Sequence, residues 1–106
     1  MSTPVIAFCT CPDTATAEQL AQVLVSEQLA ACVNQIPGIR STYRWQGAVQ
    51  TDQEVLLLIK TTQEQIQTLA TRLKDLHPYD LPELIATSIC AGSETYLDWI
   101  RCNVAS

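Results

Sequence analysis

The sequence predicts an α+β domain of ferredoxin-like type, βαββαβ, with one antiparallel sheet, both crossover helices on the same face and a further C-terminal helix. Three observations carry this expectation. Strand-like and helix-like periodicities alternate along the chain in that order. The middle two strand-like segments are separated only by Gly47, a hairpin signal. The length of 106 residues suits one hydrophobic core and is too short for two ordinary domains, so 1–106 reads as a single domain.

Each element follows from its residues. Positions 4–11, Pro4-Val5-Ile6-Ala7-Phe8-Cys9-Thr10-Cys11, hold β-branched and aromatic residues and stop at Pro12-Asp13, a turn and helix-start signal. From Thr14 to about Ala30 the apolar residues Ala17, Leu20, Ala21, Leu24 and Leu29 recur at helical spacing, with Asp13 or Thr14 as the cap. Residues 31–46 and 48–61 read as long strands, the first interrupted at Pro37-Gly38. Thr62 and Gln65 form a capping-box pattern ahead of a second helix, on which Ile66, Leu69, Ala70, Leu73 and Leu76 share a face. Two prolines in His77-Pro78-Tyr79-Asp80-Leu81-Pro82-Glu83 forbid helix continuation and make this segment a loop. Leu84–Cys90 is the fourth strand, and Gly92-Ser93 opens a helix carrying Tyr96, Leu97, Ile100 and Val104.

Side chains alternate across a strand, so Ile6 and Phe8 face one way while Val5, Ala7, Cys9 and Cys11 face the other. The third strand repeats this, with Val55, Leu57 and Ile59 opposed to Leu56 and Leu58. Neither face is polar, yet helices cover only one. A second subunit over the open face explains the pattern, because exposed apolar sheets are uncommon in monomers. The alternative is a terminal helix folded across its own sheet.

Composition narrows function. An apolar content of 47% with 16% charged residues is globular, and the longest apolar run, Val55–Ile59, is too short to span a bilayer. The N-terminus has no basic start and apolar core of a secretory signal, which points to the cytoplasm. A net charge of −5 repels nucleic acid and acidic membranes, so neither is expected as a partner. The five cysteines are odd in number and irregularly spaced, as for buried reduced thiols. No phosphate loop and no nucleophile-base-acid set is visible, so neither an enzyme nor an organic cofactor is expected.

A few residues carry chemistry. His77, the only histidine, sits in a Pro-bounded loop with Tyr79, Asp80 and Glu83 and is either a metal ligand or a cap on the preceding helix. Cys9 and Cys11 project from one strand face, where soft thiolates with an imidazole suit Cu(I) or Zn(II), although a Cys-x-Cys is unspecific and Cys11, like Cys32, Cys90 and Cys102, reads rather as a buried small hydrophobe. Tyr43 and Trp45 beside Arg40 and Arg44 fit subunit packing better than base stacking.

The stretches Ala30-Ala31-Cys32-Val33-Asn34, Ile36-Pro37-Gly38, Ser41-Thr42-Tyr43-Arg44-Trp45-Gln46-Gly47, Ile59-Lys60-Thr61-Thr62, His77-Pro78-Tyr79-Asp80-Leu81-Pro82-Glu83 and Tyr96-Leu97-Asp98-Trp99-Ile100 together resemble the CutA family of divalent-cation tolerance proteins. The resemblance spans the chain in order. It implies a homotrimer of ferredoxin-like subunits, assembled like the PII nitrogen-signalling proteins, and a role in tolerance of copper and other divalent metals. It places metal ligands on Cys9 and His77. Some members carry His-His before Pro-Tyr where this chain has Leu76-His77, so a site here recruits Glu83, Cys11 or a neighbouring subunit. The PII-like assembly also implies a second role, a signalling or adaptor trimer with Tyr43, Trp45, Lys60, Tyr79 and Glu83 lining clefts between subunits for a small anionic metabolite or a partner protein.

Overall fold

The computed structural model describes residues 2–106. Strand β1 (Pro4–Cys11) leads to helix α1 (Thr14–Ser26), then to strands β2 (Cys32–Trp45) and β3 (Ala48–Thr62). Helix α2 (Ile66–Leu76), strand β4 (Ile85–Ser88) and helix α3 (Glu94–Cys102) complete the order. The strands form one antiparallel sheet in the spatial order β2-β3-β1-β4. This is the expected ferredoxin-like connectivity, with β1 and β3 central.

The β2–β3 hairpin closes at Gln46-Gly47, with Trp45 paired to Ala48. Both turn residues have left-handed backbone, φ 50° and 80°, the geometry whose twist matches paired strands. A Cβ at Gly47 would meet nothing within 4 Å, so Gly47→Ala costs only backbone strain. We expect a loss of about 1 kcal/mol, read as a lower urea midpoint with unchanged slope. Further along, Pro37-Gly38 forms the bulge that shifts the register between Ile36 and Ile39, with Gly38 at φ 76°.

Several boundaries depart from the sequence expectation. Helix α1 ends at Ser26, not near Ala30, because Gln28 turns left-handed at φ 60°. The amides of Gln28 and Leu29 then donate to the Val25 and Leu24 carbonyls, a Schellman closure that leaves Leu29 buried against Leu24. The capping box does not form: Thr62 makes no cap bond and its buried hydroxyl lacks a partner. Instead the chain passes through a 3₁₀ turn, Gln63–Gln65, whose last side chain donates to the Ala105 carbonyl at 2.7 Å. Strand β4 is shorter than 84–90, since β1 pairs with it only from Ile85 to Ser88. Val104 lies beyond the end of α3 but is buried.

Alternation decides the core. Ala7, Cys9 and Cys11 pack with Val55, Leu57 and Ile59 beneath Ala17, Leu20 and Leu24 of α1 and Leu69 and Leu73 of α2. On the other face Ile6, Phe8, Leu56 and Leu58 are only half-buried, while Ile36 and Ile85 are 40% and 61% exposed. Helix α3 covers one end of the sheet, where Ile100 and Val104 pack on Ala31 and Tyr96 lies under the Lys60 ammonium at 5.9 Å. The open face is thus partly covered by its own chain, and its remainder stays apolar and accessible. Among the described residues no helix is long and apolar enough to cross a membrane.

The cysteines divide by position. Cys9 and Cys11 are buried as expected and Cys32 is half-buried, but Cys90 and Cys102 are exposed. Cys90 follows the end of β4, and Cys102 is the last residue of α3, so neither reaches a core face.

Candidate functional site

The site begins where β1 runs out of the sheet centre. Its alternation turns the Cys9 and Cys11 side chains under the helices, both at 0% exposure, and leaves the Thr10 carbonyl at the strand edge of the 77–83 loop. Helix α2 ends because Pro78 forces His77 out of helical geometry, to φ −78° and ψ 138°. His77 is the C-cap residue, its amide still donating to Leu73, yet its ring serves β1 rather than the helix end. Nε2–H donates to the Thr10 carbonyl at 2.8 Å, and Nδ1 accepts the Tyr79 amide at 3.1 Å. These partners assign the tautomer with the proton on Nε2. The Tyr79 ring packs 4.6 Å from the imidazole, which is 6% exposed.

The consequence is a convergent donor set. One ligand atom from each of Cys9, Cys11 and His77 lies within 4.8 Å of the others, all three residues being buried. The Cys9 thiol, which donates to the Thr10 carbonyl at 3.7 Å, is held well above the ordinary range by the adjacent Cys11 sulfur first, by burial second, and by the charges of Cys11, Glu83 and Glu54 after that. The same sulfur–sulfur contact lowers Cys11. Two thiols and an imidazole form a soft set that suits Cu(I) or Zn(II), whereas calcium or magnesium would require oxygens.

Glu83 is not in this set. It is exposed and lines a cavity of about 780 Å³ between the β2–β3 hairpin and the 77–83 loop, together with Tyr43, Trp45, Glu54, Tyr79 and Asp80. Partial burial raises the Glu83 carboxyl, with the Glu54 charge adding to the shift. Tyr79 donates its hydroxyl to Glu54 at 2.7 Å, and Tyr43 donates to Asp52. Burial, then the Glu54 bond, pushes the Tyr79 phenol above its usual value. Thr10 lines the cavity as well as bonding His77, so the two features share a wall.

Of the residues singled out in the sequence, Cys9 and His77 come together, and Tyr43, Trp45, Tyr79 and Glu83 come together. Lys60 joins neither; it sits over Tyr96. Cys11 is drawn into the thiol–imidazole group, a placement already implicit in its two-residue offset from Cys9. Glu54 was missed. It precedes the apolar run 55–59 and shares the open face with Leu56 and Leu58, and nothing in its neighbours marks it as a cavity wall.

A four-stranded antiparallel sheet with paired helices on one face, a further helix at one end and a buried thiol–imidazole group at a central strand's end defines a small ferredoxin-like α+β subunit. Within that class the chain belongs to the CutA1 family, described as CutA1 divalent ion tolerance protein, whose profile matches residues 5–103. It is 50% identical over 98 residues to the divalent-cation tolerance protein CutA of Thermus thermophilus, covering 92% of this chain and 95% of that one. It is 44% identical to the chloroplastic protein CutA of Arabidopsis thaliana, covering 92% of this chain and 53% of that one. The solved Thermus thermophilus protein superposes with a TM-score of 0.94 at 48% identity, covering 96% of this chain and 99% of that one. CutA from Xylella fastidiosa gives 0.93 at 50% identity, covering 98% and 100%. A related structure from Archaeoglobus fulgidus is described as periplasmic, so compartment varies among these proteins.

Proposed function

We propose that this chain is the subunit of a cytoplasmic homotrimer that takes part in divalent-cation tolerance by holding a thiophilic cation, copper or zinc, on Cys9, Cys11 and His77. The observation that carries this is the convergence of two sulfurs and an imidazole nitrogen within 4.8 Å in a buried site. The separation suits a single ion after a small contraction, given metal–sulfur bonds of about 2.3 Å and metal–nitrogen bonds of about 2.0 Å, once His77 gives up one of its ring bonds, to the Thr10 carbonyl or from the Tyr79 amide, and so frees a nitrogen lone pair. The proposed site uses Cys11 in the role that a second histidine, replaced by Leu76, fills in some members. Glu83 acts on it through charge, as an electrostatic neighbour. The trimer reading rests on the apolar open face for association and on the family resemblance for the number three. The free thiols fit a reducing compartment.

Binding must displace the Cys9 proton, which its hydrogen bond and burial hold tightly. The sign follows: affinity rises with pH, by about one log unit per pH unit for each thiol proton released. Equilibrium dialysis against Cu(I) under reducing conditions and against Zn(II), from pH 6 to 8 or so, measures this slope. Cys9→Ser, Cys11→Ser and His77→Gln should each weaken binding at least tenfold, since losing even an outer-shell partner costs about 10- to 100-fold. Equal binding by wild type and all three variants would exclude the site.

A second reading, a signalling or adaptor trimer that takes a small molecule, is favoured by one observation. The expected cleft residues Tyr43, Trp45, Tyr79 and Glu83 do line a single cavity of small-molecule size.

A further inference from the structure

The cavity between the hairpin and the 77–83 loop has an unbalanced lining. Three carboxylates, Glu54, Asp80 and Glu83, and three aromatic rings, Tyr43, Trp45 and Tyr79, face one space, and no lysine or arginine joins them. The two ion pairs among the described residues, Arg72–Glu27 and Arg101–Asp98, lie elsewhere. Glu54 is the telling member. It is more than nine-tenths buried, its Oε2 accepts the Tyr79 hydroxyl, and neither ion pair among the described residues brings it a cation. A carboxylate so far removed from water, with one neutral donor and no cation against it, carries a desolvation cost that an incoming cation relieves. Glu83 stands near enough for the Glu54 charge to add to the rise that partial burial gives its carboxyl.

The geometry points to an aliphatic di- or polyamine as the ligand of this cavity, its ammonium groups bonded by Glu54 on one wall and by Asp80 and Glu83 on the other, with its methylenes against Tyr43, Trp45 and Tyr79. Three properties select this class. The charge excludes a small anion. The cavity's acidic oxygens do not converge: the thiol–imidazole group is the one set of three potential ligand atoms within 4.8 Å among the described residues, so a bare metal ion has no chelating cage here. A space of about 780 Å³ is far larger than an ion, and rings facing it favour cations by their quadrupoles and methylenes by area. The carboxylates stand on separate elements, Glu54 on β3 and Asp80 and Glu83 on the loop, which matches a ligand with charge at both ends.

This inference deepens the small-molecule reading and is independent of the metal cluster. Its test is calorimetric titration of the native assembly with 1,4-diaminobutane and, in parallel, with succinate and with Mg²⁺, using wild type, Glu54→Gln, Glu83→Gln and Trp45→Leu. The expected result is saturable diamine binding, weakened at least tenfold by Glu54→Gln and several-fold by each of the other two, and weakened by salt. Glu83 and Trp45 are exposed, so their variants remain informative if Glu54→Gln fails to fold. Binding of succinate in place of the diamine would overturn the inference but keep the small-molecule reading. Binding of neither, as when a side chain from a second copy fills the cavity, would overturn both. Equal competition by Mg²⁺ at the same concentration, or diamine binding unchanged in all three variants, would also overturn the inference.

Discussion

His77→Ala is expected to lower unfolding free energy by about 2–4 kcal/mol and to free the 77–83 loop from the sheet. The imidazole does three things at once. It satisfies the Thr10 carbonyl, receives the Tyr79 amide and fills the space between β1 and the loop at 6% exposure. Alanine supplies none of these, so the Tyr79 amide loses its partner, the Thr10 carbonyl keeps only the long 3.7 Å contact of the Cys9 thiol, and a void opens beside Tyr79. A partly buried polar group left unmatched costs about 1–3 kcal/mol, and relaxation of the loop toward water recovers some of it. Urea unfolding measures the total, and amide exchange at Tyr79 locates it. His77→Gln, which keeps a side-chain donor and acceptor, should lose less. If His77→Ala changed stability by under about 0.5 kcal/mol, as ordinary surface substitutions do, the imidazole would not be what fastens the loop.

That dual position also explains how far the site could be read from sequence. Cys9 and Cys11 share a face by strand alternation, and Pro78 guarantees that His77 leaves its helix, so each residue's local geometry was legible. Their meeting was not, because His77 bonds a carbonyl 67 residues away through the packing of α2 on β1. The same contrast runs through the fold. Leu20 and Leu24, or Leu69 and Leu73, announce their helices by spacing, since the core they fill imposes the period. The end of α1 depends on a left-handed Gln28, a residue type that carries no such signal. Thr62 and Gln65 have the spacing of a capping box, but the Gln65 amide finds the Ala105 carbonyl, a tertiary partner that outcompetes the local one. Lys60 is drawn away from the expected cleft for a similar reason: α3 brings Tyr96 beneath it.

Leu57 and Leu58 are chain neighbours, and aspartate at the two positions should give opposite failures. Leu57 pairs with Cys9 on the helix-covered face and has 0% exposure. A carboxylate there has neither water nor a partner, and several kcal/mol of burial cost is comparable to a small domain's whole stability of about 5–15 kcal/mol. Leu57→Asp is therefore expected to be unfolded by circular dichroism at any concentration. Leu58 pairs with Phe8 and Asn34 on the open face and is half-buried. In the isolated subunit an aspartate there still reaches water, so Leu58→Asp should retain the secondary structure of the wild type. In an assembly closed over Phe8, Leu56 and Leu58 the same carboxylate loses its water, and repeated in every subunit it should split the proposed trimer. Sedimentation velocity should then report the mass of a single folded subunit where wild type reports the assembly. An assembled Leu58→Asp at micromolar concentration would mean that this sheet face is not the interface, and the apolar alternation that motivates oligomerisation would need another cover.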